Sequence, residues 1–339
     1  MARYPIRPLA WLLGALLAGM MLSGCANNPN QVVVYTAEKD VIIQAVTGLW
    51  AKSAPDIKLQ TVAASSNEVV QRVRSEHQRP LGDVVWGVGA EGLAANPELF
   101  VPYTTSETKA IDPRWLEVAA GQPWQPNNVV PTVLIYNTKL VSAAQAPSTW
   151  RDLADPRWKG KLAYASPDKS GSAYTQLATM VAVLGDNPAG WRMVGRIMAN
   201  CVILNNSSKV PKGVSDGEYA AGLSYENVAG LYVKGGAPVK IVYPRDGTSV
   251  TPDGNALIRG APHPEAARRF LDFLQSEPVQ ELLARELALR AARMGVPPPP
   301  GLPPLDQIKP APGYSFQWGA ERRKDFIEKW LALTASQGR

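Results

Sequence analysis

Val32-Val33-Val34-Tyr35-Thr36-Ala37-Glu38-Lys39-Asp40-Val41-Ile42-Ile43-Gln44-Ala45-Val46-Thr47-Gly48-Leu49-Trp50 changes its hydrophobic period part-way along. The β-branched run 32–34 with Tyr35 reads as a strand ending at Thr36-Ala37. Beyond it Val41, Ile42, Ala45, Val46, Leu49 and Trp50 recur at three- and four-residue spacing, the signature of a helix with one apolar face. Outward from this pair the alternation continues. Ile57-Lys58-Leu59-Gln60-Thr61-Val62 alternates like a strand. Ser65-Ser66-Asn67-Glu68 has capping-box spacing and opens a helix through Val69, Val70 and Val73. Asp83-Val84-Val85-Trp86-Gly87 is another short strand, entering a glycine loop. Strands alternating with helices predict an α/β sheet with crossover connections.

A second α/β region follows. Val129-Val130-Pro131-Thr132-Val133-Leu134-Ile135-Tyr136-Asn137 is a strand with a proline near its start. Lys161-Leu162-Ala163-Tyr164 is a strand, and Ser170-Gly171-Ser172-Ala173-Tyr174-Thr175 opens a helix through Leu177, Met180, Val181 and Leu184. Further strands are expected at residues 201–204, 222–225, 240–243 and 255–258, then helices at about 265–275 and 278–290, where Pro278 suits a first helical turn. Residues 297–304, mostly proline, form an irregular extended spacer. A last amphipathic helix is expected at about 321–333, with Phe326, Ile327, Trp330 and Leu331 apolar. No internal repeat is evident.

A chain of 339 residues suits two domains or one elaborated α/β unit. Its 45% hydrophobic and 19% charged residues exclude a disordered or fibrous protein. Two cysteines cannot build a disulfide scaffold or a cysteine-rich zinc site, and His77 and His263 match no compact metal motif. No metal site and no cofactor are expected. The net charge of +6 is at first reading open to several partners.

Part of that charge belongs to the N-terminus. Arg3 and Arg7 precede an apolar run over residues 9–22 that is too short to span a bilayer comfortably, the layout of a secretory signal. The run ends in Leu22-Ser23-Gly24-Cys25, which resembles a bacterial lipobox. The resemblance implies cleavage before Cys25 and lipid on its thiol. Residues 1–24 are then a lipoprotein signal peptide and 25–31 a tether. Removing the two arginines leaves 33 basic against 29 acidic residues, a mild and dispersed +4. Export also leaves Cys201 without an intramolecular disulfide partner. The expected location is the periplasm, anchored to a membrane by lipidated Cys25, and stable anchoring needs more than one acyl chain.

Over nearly the whole mature length the chain resembles a substrate-binding protein of bacterial ABC importers. The class is the two-lobed type II periplasmic binding proteins, and within it the chain is similar to the ferric-ion, sugar-phosphate and phosphonate binders. The carrying segments are Pro147-Ser148-Thr149-Trp150-Arg151-Asp152-Leu153, Trp158-Lys159-Gly160-Lys161-Leu162-Ala163 and Ser170-Gly171-Ser172-Ala173-Tyr174. Asp216-Gly217-Glu218-Tyr219, Gly222-Leu223-Ser224-Tyr225-Glu226, Asp253-Gly254-Asn255-Ala256-Leu257-Ile258 and Pro264-Glu265-Ala266-Ala267 continue it. Each is weak alone; their order and spacing carry the likeness. It implies two α/β lobes joined by two crossing hinge strands, near 130–136 and 253–258. Lobe 1 would take residues 32–132, lobe 2 residues 133–252, and 253–339 would return to lobe 1 with the C-terminal helices. Ligand would close the hinge. The implied partners are ABC permease subunits with a separate ATPase, and the receptor itself would be a monomer.

Three helix starts are candidates to face such a cleft: after Thr36-Ala37, at Ser65-Ser66, and at Ser170-Gly171-Ser172. Helix N-termini offer free N–H groups and partial positive charge to anions. Simple capping accounts for the same residues. The resemblance extends ligand contact to Ala173 and Tyr174, and brings Trp86 and Gly87 into the first-lobe cleft loop, although Trp86 also suits a core. Ferric binders use adjacent tyrosines, whose hard phenolate oxygens suit Fe(III). Here Ser224-Tyr225-Glu226 supplies Tyr225 alone, and Tyr232 reads as a helix-face residue. The remaining pattern fits a small organic molecule with an anionic head, a sugar phosphate or an aminoalkylphosphonate. Glu226 and Asp253 would accept from hydroxyls or an amine at its other end. The alternatives are a surface salt bridge for Glu226 and a turn for Asp253. A ferric-ion receptor of the same fold stays open as a second reading.

An exported serine hydrolase is the reading from another class, with Ser170 or Ser224 as its nucleophile. Ser166-Pro167-Asp168-Lys169 fits S-x-x-K but lacks the companion motifs, and Gly222-Leu223-Ser224-Tyr225-Glu226 lacks the second glycine of a nucleophile elbow. His77 reads as a solvated helix residue and His263 as an exposed turn before a helix. No P-loop or dinucleotide fingerprint is present. Dispersed basic residues give no nucleic-acid footprint. No catalytic residue is therefore assigned.

Overall fold

A computed structural model describes residues 30–335. The signal segment, Cys25 and most of the tether lie outside the described residues. No helix among those described is long and apolar enough to cross a membrane. The chain opens with β1 (Gln31–Thr36), α1 (Asp40–Ser53), β2 (Lys58–Ala63), α2 (Ser66–Ser75) and β3 (Val84–Gly89). It continues through α3 (Ala90–Ala94), β4 (Phe100–Val101) and α4 (Pro113–Val118) into the long β5 (Gln125–Asn137). Next come β6 (Leu162–Ala165), α5 (Gly171–Leu184), α6 (Pro188–Asn200), β7 (Cys201–Leu204), α7 (Lys209–Asp216), β8 (Ala221–Tyr225), α8 (Glu226–Lys234) and β9 (Val239–Val242). The return is β10 (Val250–Ile258), α9 (Pro264–Gln275), α10 (Glu277–Leu287) and β11 (Arg290–Ala291), and the chain ends in α11 (Phe316–Glu321) and α12 (Arg323–Ala335).

β5 sets the architecture, because its two halves belong to different sheets. Gln125 through Pro131 pair antiparallel with β10, while Thr132 through Tyr136 pair with β8 and Leu134 through Asn137 with β9. The switch falls at Pro131, which has no N–H to give a continuing ladder. On one side β1 pairs parallel with β2 and β3, and β3 antiparallel with β10. On the other, β6 pairs parallel with β7 and β8. Each half carries its own core. Val34, Val46, Trp86, Phe270 and Leu274 pack on one face of the first sheet, and Val70, Val85, Leu93 and Trp124 on the other. Leu134, Trp150, Leu177, Val194 and Ile197 fill the second lobe. The molecule is thus the expected two-lobed α/β structure.

The return crossing lies earlier than expected. Asp253 to Leu257 is already paired with β3 inside the first sheet, so the chain changes lobe near Thr248–Val250. There Thr132 N donates to the Ser249 carbonyl at 3.0 Å. Thr248 Oγ1 donates to the Thr132 carbonyl at 2.7 Å, and the Thr132, Ser249 and Thr179 hydroxyls form a chain with steps of 2.9 and 2.7 Å. A small polar cluster between two apolar cores gives the strands a fixed pivot.

The end of the chain also departs from expectation. α9 and α10 pack on the first lobe, with Phe270, Leu274 and Leu283 in its core. α12 does not. Phe326 and Trp330 are buried in the second-lobe core, where Phe326 meets Trp191 edge-on at 5.4 Å. The segment between is a strap. Phe316 packs on Trp124 of the first lobe, and Pro310 bridges to Thr248 at the pivot. His263 is likewise not an exposed turn. It is 5% exposed, with Nδ1 2.9 Å from Asp83 Oδ2 and its backbone N–H donating to Asp83 Oδ1.

Candidate functional site

A cleft of about 1060 Å³ separates the lobes. Its first-lobe wall is the β1–α1 turn and the start of α2; its second-lobe wall is built by the starts of α5, α7 and α8. The lobes touch along one rim. Ser65 Oγ donates to the Lys169 carbonyl at 3.3 Å, Asn67 Nδ2 donates to the Asp168 carbonyl at 3.0 Å, and Arg323 donates to Asn67 Oδ1 at 2.7 Å. A Cβ on Gly171 would stand 2.8 Å from Ser66 Cβ. Only a glycine allows this approach.

The helix starts divide by how their first turns are satisfied. Ser65 caps α2 in a full capping box with Glu68, and Ser170 caps α5 by accepting from Ala173 N. α7 has no side-chain cap either, but its first N–H groups, of Lys209 and Val210, donate to the Asn206 and Ser207 carbonyls. α1 and α8 have no side-chain cap. Their first N–H groups therefore remain available to an anion. The capping account thus holds for the serines at 65 and 170, while the donors are freest at the two starts lacking serine.

The floor is acidic and buried. Glu38 is buried, accepts from Asn128 Nδ2 at 3.3 Å, and has its carboxyl pushed up to about 7 by burial, with Lys39 pulling the other way. Gly87 holds a positive φ of 68°, and a Cβ there would strike Glu38 Oε1. Burial, reinforced by Glu38 and Glu91, raises the Asp253 carboxyl well above the usual range. Burial also lowers the Lys39 ammonium and raises Glu91, which accepts from the Tyr314 hydroxyl of the strap. Carboxyls that resist ionisation donate as well as accept, so this floor suits hydroxyls.

Of the residues singled out by sequence, Ser65, Ser66, Gly87, Ser170, Gly171 and Ser172 line the cleft, as do Ser224, Tyr225 and Asp253. Five do not. Thr36 Oγ1 accepts from Glu38 N behind the floor. Trp86 is fully buried against Phe270, since its strand is covered on both faces. Ala173 sits inside α5 with its carbonyl taken by Tyr164, and Tyr174 points away, donating to the Gly319 carbonyl under the Arg323 guanidinium. Glu226 is neither a cleft acceptor nor a surface salt bridge. It is 0% exposed and held by Arg290 Nε at 2.6 Å and Nη2 at 2.8 Å, with the Tyr243 hydroxyl as a further donor.

Sequence reasoning missed Glu38, Lys39, Asn67, Gln176 and Asn227, and the loop 205–208, all of which line the cleft. Isolated polar residues carry no pattern; the only available signal was that α1 starts without a capping side chain. Tyr225 lines the cleft, and Tyr232 of α8 lies on its rim. Burial, with Glu91 and Asp253 close by, holds the Tyr225 phenol well above its ordinary value. Among the described residues no three His, Cys, Asp or Glu side chains are grouped to hold a metal.

Comparison with known proteins agrees with the two-lobed fold. A family model described as bacterial extracellular solute-binding protein matches residues 83–300. The chain is 24% identical to an Fe(3+)-binding periplasmic protein of Serratia marcescens, over 87% of this chain and 89% of that one. It is 28% identical to a putative 2-aminoethylphosphonate-binding periplasmic protein of Salmonella typhimurium, over 67% of each. The solved periplasmic binding protein AfuA of Actinobacillus pleuropneumoniae, with fructose-6-phosphate bound, superposes with a TM-score of 0.83 at 22% identity, covering 89% of this chain and 98% of that one. That last likeness is one of fold.

Proposed function

The chain belongs to the bacterial extracellular solute-binding proteins, periplasmic receptors of the ABC-importer type rather than enzymes, and from that premise we propose that it captures a small organic phosphate or phosphonate. The observation that carries the reading is the pairing of free helix N-termini with an acidic floor in one cleft. The anionic head would take the N–H groups of α1 and α8 with the hydroxyls of Ser66, Ser172 and Ser224. The body would lie over Glu38 and Asp253, which accept from and donate to hydroxyls. Ligand bridging both walls favours the form in which the lobes touch, so binding shifts the hinge equilibrium toward closure. The closed receptor then delivers its ligand to permease subunits driven by a separate ATPase. Lipid on Cys25 would keep a monomeric receptor beside them.

Calorimetric titration with fructose 6-phosphate, 2-aminoethylphosphonate, inorganic phosphate and Fe(III)-citrate tests this. At least one organic phosphate or phosphonate binds at micromolar or tighter affinity, and Tyr225→Phe retains it. Binding of Fe(III) alone, with a coloured tyrosinate band lost in Tyr225→Phe, would overturn the reading in favour of a ferric receptor.

A further inference from the structure

Gln176 lies four residues beyond Ser172 on α5, so the two side chains share one face of the helix. It lines the cleft and is 1% exposed, yet neither Nε2 nor Oε1 has a hydrogen-bond partner among the described residues. Asn227, in the first turn of α8, lines the same cleft with its Oδ1 buried and unpartnered. Other buried amides hold at least one bond: Asn128 Nδ2 donates to Glu38 Oε1, Asn255 Oδ1 accepts from Gly87 N, and Gln275 Nε2 donates to the Pro126 carbonyl. Gln176 is the one amide among the described residues with both its Nε2 and its Oε1 buried and unpartnered. A buried amide left wholly unsatisfied is costly, and a leucine or methionine would fill the same volume without that cost. Folding alone gives no reason for a glutamine here.

We infer that Gln176 is a specificity-determining residue that reads a hydroxyl of the ligand body, with Asn227 accepting from a second one. Donor and acceptor counts select the group that fits. Nε2 needs an acceptor and Oε1 needs a donor. A hydroxyl is both at once; an ammonium group has donors only, and a phosphate dianion acceptors only. An aminoalkylphosphonate therefore leaves one atom of the amide unsatisfied, whereas a phosphate ester of a polyol satisfies both. The inference rests on the anionic-ligand reading and narrows it to hydroxyl-bearing phosphates.

The test is titration of the wild type, Gln176→Met and Gln176→Glu with fructose 6-phosphate, glycerol 3-phosphate, 2-aminoethylphosphonate and Fe(III)-citrate, with thermal melts of each protein without ligand. Wild type prefers the hydroxylated phosphates. Gln176→Met weakens them by roughly 10- to 100-fold while melting at or above the wild-type temperature, because no protein hydrogen bond is lost. Gln176→Glu, which when ionised keeps two acceptors but no donor, weakens them increasingly as pH rises. Fructose 6-phosphate and glycerol 3-phosphate binding to Gln176→Met within threefold of wild type would overturn the assignment. So would a wild-type preference for 2-aminoethylphosphonate, which would leave the anionic-ligand reading standing. Binding of Fe(III) alone would remove that reading and this inference with it.

Discussion

Replacing Arg290 with methionine keeps much of the side chain's length and removes its charge. The guanidinium makes two short bonds to Glu226 and donates to the Pro303 carbonyl at 2.6 Å. Both members are almost wholly buried, at 3% and 0% side-chain exposure. Without Arg290, Glu226 keeps only the Tyr243 hydroxyl. Breaking one partner out of a buried pair costs about 3–5 kcal/mol, because the remaining charge has left water without compensation. For a chain of this size that lowers the melting temperature by about 5–8 °C. Removing both charges is different. Glu226→Leu combined with Arg290→Met leaves no uncompensated ion and returns stability to within about 1 kcal/mol of wild type. The assay is urea denaturation of wild type, both single variants and the double variant, with unchanged m-values as the check on comparable unfolding. Since α8 belongs to the second lobe and β11 to the first, the coupling measured is an interlobe one. A cost below about 1 kcal/mol for Arg290→Met, or single-variant costs that simply add in the double variant, would refute the reasoning.

Three further outcomes are expected. The Glu38 carboxyl is raised from 4.5 to about 7, so the folded chain keeps a proton that the unfolded chain has lost between those values. Its contribution is full below pH 4.5 and is lost as pH rises through about 7, a difference of about 3 kcal/mol. Glu38→Gln should therefore gain on wild type by that amount across this window, and a wild-type-to-variant difference flat with pH in denaturation curves contradicts it. Gly171→Ala places a methyl 2.8 Å from Ser66 Cβ, so closure is opposed while each lobe folds normally. Affinity for fructose 6-phosphate falls roughly tenfold by calorimetry, and X-ray scattering at saturating ligand shows a more open particle; a wild-type profile would refute this. Trp330→Ala should cost about 3–5 kcal/mol in urea denaturation, whereas a cost under about 1 kcal/mol would mean that α12 merely rests on the second lobe.

What the sequence could and could not carry follows from the range of the interactions. The change of period at Thr36–Asp40 is local, and so α1 and β1 are legible within one stretch. β5 is legible as a strand, but that its halves join different sheets depends on β8 and β10, whose residues lie far along the chain. Of the five site residues that turned inward, Trp86, Tyr174 and Glu226 share this cause. A strand covered on both faces has no polar side, so nothing in Val84-Val85-Trp86 tells which side chain meets the cleft. Glu226 reads as a ligand acceptor or a surface salt bridge because its buried partner is 64 residues away. Glu38, beside Lys39, reads as a solvated charge until the β10 strand brings Asp253 alongside it. The apolar residues of α12 announce a packed helix and leave open which lobe receives it.

That last helix has a consequence for how the chain must be made. The first lobe lacks its central strand until residue 258 exists and its α9 cover until residue 275; the second lacks Phe326 and Trp330 until the first two turns of α12. A chain emerging N-terminus first can therefore finish neither half early. Both cores wait for distant segments, a topology of high sequence separation that slows folding. Completion comes late and nearly at once for the two halves, so a chain cut before residue 326 leaves an open apolar face on its second lobe and is set to aggregate rather than to survive as half a receptor.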